Sequence, residues 1–104
     1  MVLVNVRKDK EEILELVVTG HAGQAPKGED LVCAGVSSIL VGALNAIDQL
    51  ANAACELSMQ EGYVKIRQKK ADERGQLLMK ATLIALQTME ESYSSYIHIK
   101  VQEV

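Results

Sequence analysis

The apolar residues in the first half of the chain follow two periods, and the switch falls between Gly20 and Asp30. Before it, Val2, Val4 and Val6 alternate with Leu3, Asn5 and Arg7. Leu14, Leu16 and Val18 then alternate with Ile13, Glu15, Val17 and Thr19. A period of two puts one side of a strand on a core, and the charged Lys8-Asp9-Lys10-Glu11 connector makes the two runs a hairpin closed by Gly20. After the switch, Val32, Val36, Ile39, Leu40, Ala43, Ile47, Leu50, Ala51 and Ala54 share one stripe at helical spacing. Ser38, Asn45, Asn52 and Glu56 lie opposite. This predicts an amphipathic helix starting at Asp30, its N-cap, and fraying near Met59-Gln60-Glu61-Gly62. A chain serving both periods in one short length is restricted to α+β solutions.

The second half repeats the alternation. Tyr63 to Arg67 reads as a strand, Lys69 to Gly75 as a polar connector, and Gln76 to Ser92 as a helix. Leu78, Ala81, Ala85 and Met89 line one side of that helix, and Leu77, Leu83, Ile84 and Leu86 widen its apolar face. Such a helix is either sandwiched or shared with a second subunit. Tyr96 to Val101 closes the chain as a strand with Ile97, Ile99 and Val101 inward and His98 outward. The expected order is strand, strand, helix, strand, helix, strand: a single two-layer α+β domain over residues 1–104, with a four-stranded sheet and two helices on one face. Asn5, Arg7, Glu15, Lys65, Arg67 and Lys100 suit a solvated second face. Gly35 and Gly42 share a flank of the first helix, each weakening it by about 1 kcal/mol relative to Ala. Close packing against another element, or looser local order, is the reason to carry them.

At 104 residues the chain buries a core without disulfides or a structural metal. It has no Phe or Trp, so aliphatic residues fill that core. A net charge of −3 leaves no cation excess to neutralise phosphates, so direct nucleic-acid binding is not expected. We expect no membrane span, because no apolar run approaches the ~20 residues required. The N-terminus lacks the basic-then-apolar layout of a signal peptide, and a cytoplasmic protein is expected. The two cysteines, Cys33 and Cys55, would lie ~33 Å apart on one continuous helix, too far for a disulfide. Neither belongs to a Cys-x-x-Cys.

The chemistry-bearing residues gather around the switch. With Asp30 as cap, Cys33 falls in the first turn, where unpaired amides and the helix dipole favour a thiolate and can receive an oxyanion. His21 follows the end of a strand, a stiff platform from which an imidazole can serve a thiol as general base. Each residue also has a plainer reading: a small buried hydrophobe for Cys33, a surface histidine for His21. Ser37 lies one helical turn after Cys33 and either meets substrate or bonds its own helix. Asp30 caps the helix, orients His21, or does both. One His and one Cys fall short of a zinc site. The Gly23, Pro26 and Gly28 loop lacks the lysine and hydroxyl of a phosphate loop. We therefore expect no metal and no cofactor.

The pattern Gly20-His21-Ala22, Gly28-x-Asp30-x-Val32-Cys33-Ala34 and Val36-Ser37 resembles the ribosomal-processing cysteine protease family, Prp. The resemblance spans the chain, through a Tyr-Ser-Ser-Tyr segment before the last strand. Gly35 stands where a small residue such as Ala is expected, a departure that touches no catalytic position. The resemblance implies a cysteine endopeptidase that removes the N-terminal extension of a large-subunit ribosomal protein. His21 is then the base and Cys33 the nucleophile, with Asp30, Ser37 and Gly20 supporting. It also implies a homodimer. The loop holding Gly23, Pro26 and Gly28 is then a mobile lid over the substrate peptide. Two rivals keep the same fold: a non-catalytic ribosome-associated binding module, and a small thiol redox sensor.

Overall fold

A computed structural model gives the fold; it describes residues 1–20 and 27–104, with side chains on 1–20 and 31–104. Seven elements follow in order: β1 (Val2–Asp9), β2 (Glu12–Thr19), α1 (Lys27–Leu50), β3 (Cys55–Gln60), β4 (Tyr63–Gln68), α2 (Glu73–Ser92) and β5 (Ile97–Glu103). The two-layer α+β class is as expected, but the sheet has five strands rather than four, in the order β3-β4-β2-β1-β5. β5 runs parallel to β1, and every other pairing is antiparallel.

The added strand replaces the expected end of the first helix. α1 stops at Leu50, Ala53 takes a left-handed φ of 70°, and β3 begins at Cys55. Ala51 and Ala54 are both buried, so the apolar stripe runs on after the helix has ended. The Ala54 carbonyl accepts from the Lys69 amide at 2.8 Å and fixes that turn. Cys33 and Cys55 thus occupy different elements, and neither is in a disulfide.

The valines at 2, 4 and 6 are all buried, as their alternation predicts. The β2 face differs from expectation. Arg7 faces Glu15 but Lys8 faces Ile13, leaving Leu14 as an extra residue in a bulge. The bulge resets the alternation, so Ile13 joins Leu16 and Val18 in the core. The carboxamide of Gln76 closes the break: it accepts from the Ile13 amide at 2.8 Å and donates to the Ile13 carbonyl at 2.7 Å.

α2 starts before the expected Gln76 because Asp72 caps it, its side chain accepting from the Gly75 amide at 3.0 Å. Its buried stripe is Gly75, Met79, Thr82, Leu83 and Leu86. Leu77 and Ile84, expected within the apolar face, are 68% and 61% exposed. On α1, Val32, Val36, Leu40 and Ile47 pack into the same core. The segment Leu31–Leu50 is in fact long and apolar enough to cross a membrane by length and composition, contrary to the sequence reading. Here its apolar stripe covers a sheet, a use that meets the same criterion.

The second sheet face is polar. Glu56, Arg67, Glu15 and Arg7 lie side by side across four strands. Arg67 pairs with Glu56 at 3.1 Å, and Glu15 lies 3.6 Å from Lys65 and 4.0 Å from Arg7. The exposed Arg67–Glu56 pair adds little stability; such charges keep the face wet.

Candidate active site

A cleft of about 620 Å³ opens where α1, the end of β2 and the tip of the β3–β4 hairpin meet. Cys33 and Ser37 contribute from α1, Gly20 from the end of β2, and Met59, Glu61 and Tyr63 from the hairpin. The floor is aliphatic, drawn from Val18, Val36, Leu40 and Val64. A volume of this order admits a few residues of extended peptide.

Cys33 is 7% exposed, held by the core yet open at the cleft wall. Ser37 is exposed one turn further along the same wall. Gly20 lines the cleft from the end of β2. Its φ is +111°, and a Cβ there would run into the Met1 carbonyl oxygen and lie 3.1 Å from the Val2 Cα. Only glycine fits such a position.

Expectations about the helix start are corrected. α1 begins at Lys27, so Gly28 belongs to the helix rather than the loop, and Asp30 is a residue of the first turn and not the N-cap. Cys33 accordingly lies in the second turn, where its amide belongs to the hydrogen-bonded body of the helix. The dipole's influence falls off within the first turn, so activation of Cys33 by a free helix end no longer carries the argument. His21, Gly23 and Pro26 lie outside the described residues, as does the side chain of Asp30. Gly20, covalently joined to His21, lines the cleft with Cys33.

Cys55 is placed elsewhere, half-buried on β3 with its sulfur 3.9 Å from the Met79 sulfur. Burial, and then the nearby Asp72 carboxylate, push its thiol pKa up, the reverse of what a nucleophile needs. Among the described residues, no group of three or more His, Cys, Asp or Glu is placed to hold a metal ion.

Sequence reasoning missed the hairpin tip. Residues 59–62 read as a fraying helix, yet Leu57 and Met59 alternate toward Glu61-Gly62, and Val64 and Ile66 alternate away from it. Two alternating runs around an acid-glycine pair are a hairpin signal. It was masked by an apolar stripe that seemed to continue α1.

Residues 1–98 match the family model described as Cysteine protease Prp. The chain belongs to the Prp family of cysteine proteases. It is 33% identical over 107 residues to the ribosomal processing cysteine protease Prp of Bacillus subtilis, covering 95% of this chain and 96% of that one. Among solved structures, it resembles the Staphylococcus aureus ribosomal processing protease Prp in complex with a substrate peptide. That likeness has a TM-score of 0.89 at 29% identity, over 98% of this chain and all of the other. A second structure of the S. aureus Prp, with a covalently linked product peptide, has a TM-score of 0.86 at 30% identity over the same 98% of this chain. A Prp fold and a thiol at the wall of a peptide-sized cleft thus occur together here, and the activity is that of a hydrolase using cysteine.

Proposed function

We propose that this protease removes the N-terminal extension of a large-subunit ribosomal protein, with Cys33 as nucleophile and His21 as base. The observation that carries the reading is the separation of the two thiols. Cys33 lines the cleft, whereas Cys55 sits on β3 outside its lining. Support for His21 comes from Gly20, its covalent neighbour, which lines that cleft too. The Cys33 thiol gives its proton to His21, and the sulfur attacks the scissile carbonyl carbon. The tetrahedral oxyanion collapses, the C–N bond breaks, and His21 returns the proton to the departing amine. Water, deprotonated by His21, then attacks the thioester, releasing the carboxylate and restoring the thiol.

Ser37 is assigned to hydrogen-bonding the peptide backbone, a reading supported by its exposure on the cleft wall one turn from Cys33. Asp30 is assigned to orienting His21. The segment from Gly23 to Pro26 is assigned to covering the bound peptide. Self-association fits the outer face of the helical layer. There Leu77 and Ile84 are exposed beside a shallow groove of small residues that includes Gly42, Ala46 and Ala81. A substrate made for ribosomes and an acidic enzyme suit a cytoplasmic location, with no membrane or nucleic acid engaged.

The deciding experiment is incubation with the extended ribosomal protein, reading the new N-terminus by mass spectrometry. Cys33→Ala and His21→Ala should keep the fold and abolish cleavage. Wild-type-like cleavage by either variant removes the assignment.

A further inference from the structure

The cleft has an aliphatic floor, and among the described residues lining it Glu61 carries the one charge. Glu61 occupies the turn between β3 and β4, is exposed, and makes no ion pair among the described residues. Elsewhere on this sheet, Glu15 and Glu56 both face basic side chains. The hairpin tip is held against the end of β2, because the Gly20 amide donates to the Gly62 carbonyl at 3.1 Å. Glu61 is therefore an anion on a backbone-anchored turn at the rim of a peptide-sized apolar cleft, with no compensating cation among the described residues.

We propose that Glu61 is a specificity residue that selects peptides carrying a lysine or arginine within a few positions of the scissile bond. This inference rests on the protease reading above and adds the chemistry of its substrate. A protein bound for RNA must carry cations to neutralise phosphates, so a ribosomal-protein substrate has such a residue to offer. The enzyme's net charge of −3 steers the same peptides inward. The apolar floor takes the uncharged part of the peptide, and the rim carboxylate reads the cation beside it.

The test uses decapeptides spanning the junction of the organism's own extended ribosomal protein, each position in turn set to Lys, Gln or Glu. Binding to the Cys33→Ala protein is followed by fluorescence anisotropy. At low salt, Lys should be preferred over Glu by about fivefold at one or two positions, and the ratio should shrink at high ionic strength. Adding Glu61→Gln should bring the ratio to within about twofold, and Glu61→Lys should invert it. A Lys preference that survives Glu61→Gln unchanged, or no preference at any position, overturns the proposal. The protease reading is scored separately by wild-type cleavage. Cleavage with indifference to Glu61 sinks this inference alone. Glu61-dependent binding without cleavage of these peptides leaves the charge preference standing and sinks the assignment of this ribosomal protein as the substrate.

Discussion

The Gly20 amide donates to the carbonyl of Gly62 at 3.1 Å, tying the residue before His21 to the residue after Glu61. Both glycines have positive φ, 111° and 70°. The bond joins the end of β2 to the β3–β4 turn, so two parts of the cleft lining are tied together.

That link makes Gly20 the less replaceable of the two. A left-handed φ of 70° is open to Asn, whereas 111° with a carbonyl at the Cβ position is not. Gly20→Ala should lower unfolding free energy in urea by about 1–3 kcal/mol and reduce kcat/KM more than Gly62→Asn does. Equal losses for the two variants would show that the close approach to Met1 is unimportant.

The thiols should separate by pH. In the Cys33→Ala protein Cys55 is the remaining cysteine. Its pKa is raised by burial and then by Asp72, so alkylation by iodoacetamide should accelerate at a higher pH than for a free thiol. Asp72→Asn should move that midpoint back only partly, since burial remains; Asn still caps α2. The native state holds this proton to higher pH than the unfolded chain does. The stability linked to it is therefore fully present below the unfolded thiol pKa of about 8.5, and is lost as pH rises from there through the raised folded value. Cys55→Ser should remove that fall and leave cleavage intact. An alkylation midpoint at or below that of a free thiol would contradict the placement of Cys55.

Most of this arrangement is written in local periodicity, and its exceptions have physical causes. Val2, Val4 and Val6 face inward because a strand alternates and nothing interrupts β1 there. Ile13 defeats the same rule because Leu14 bulges, and the partner that makes the bulge tolerable, Gln76, lies far along the chain. Ala51 and Ala54 keep a helical spacing while sitting in a turn, since a turn tucked under the core buries alanines as a helix does. That imitation hid β3 and with it the hairpin that forms one wall of the cleft. Cys33 and Ser37 were legible because residues four apart on a helix share a face. The start of α1 was not, because Asp30 is as acceptable in a first turn as at an N-cap.

Gln76 offers a direct measure of the bulge. Its carboxamide meets both backbone groups of Ile13, at 2.8 and 2.7 Å, and its nitrogen also donates to the Gln68 side chain at 2.6 Å. Ile13 is buried, so truncation strands its amide and carbonyl. Gln76→Ala should cost about 1–3 kcal/mol in urea unfolding. Gln76→Glu keeps an acceptor for the amide but loses the donor, and should fall between wild type and Gln76→Ala. A loss for Gln76→Ala below about 0.5 kcal/mol would mean that water replaces the carboxamide.

The helical glycines discriminate between packing within the chain and packing against a second copy. A Cβ at Gly35 would lie 2.9 Å from the Met89 Cε, so α2 packs closely there through the flexible end of one side chain. Among the described residues nothing lies within 4 Å of a Cβ at Gly42, so no described contact requires glycine there. Gly42→Ala should therefore stabilise the isolated chain by about 0.5–1 kcal/mol through helix propensity. If the outer groove is the subunit interface, the same methyl intrudes on a close approach. Overpacking of this kind opposes association by about 1–3 kcal/mol, so the dimer dissociation constant should rise about fivefold or more. Chemical unfolding at low concentration reads the first effect and sedimentation velocity across a dilution series reads the second. Ile84→Glu provides the control, since a charge in that face should weaken association without touching the core. A chain whose self-association is unchanged by both Gly42→Ala and Ile84→Glu does not pair through this face.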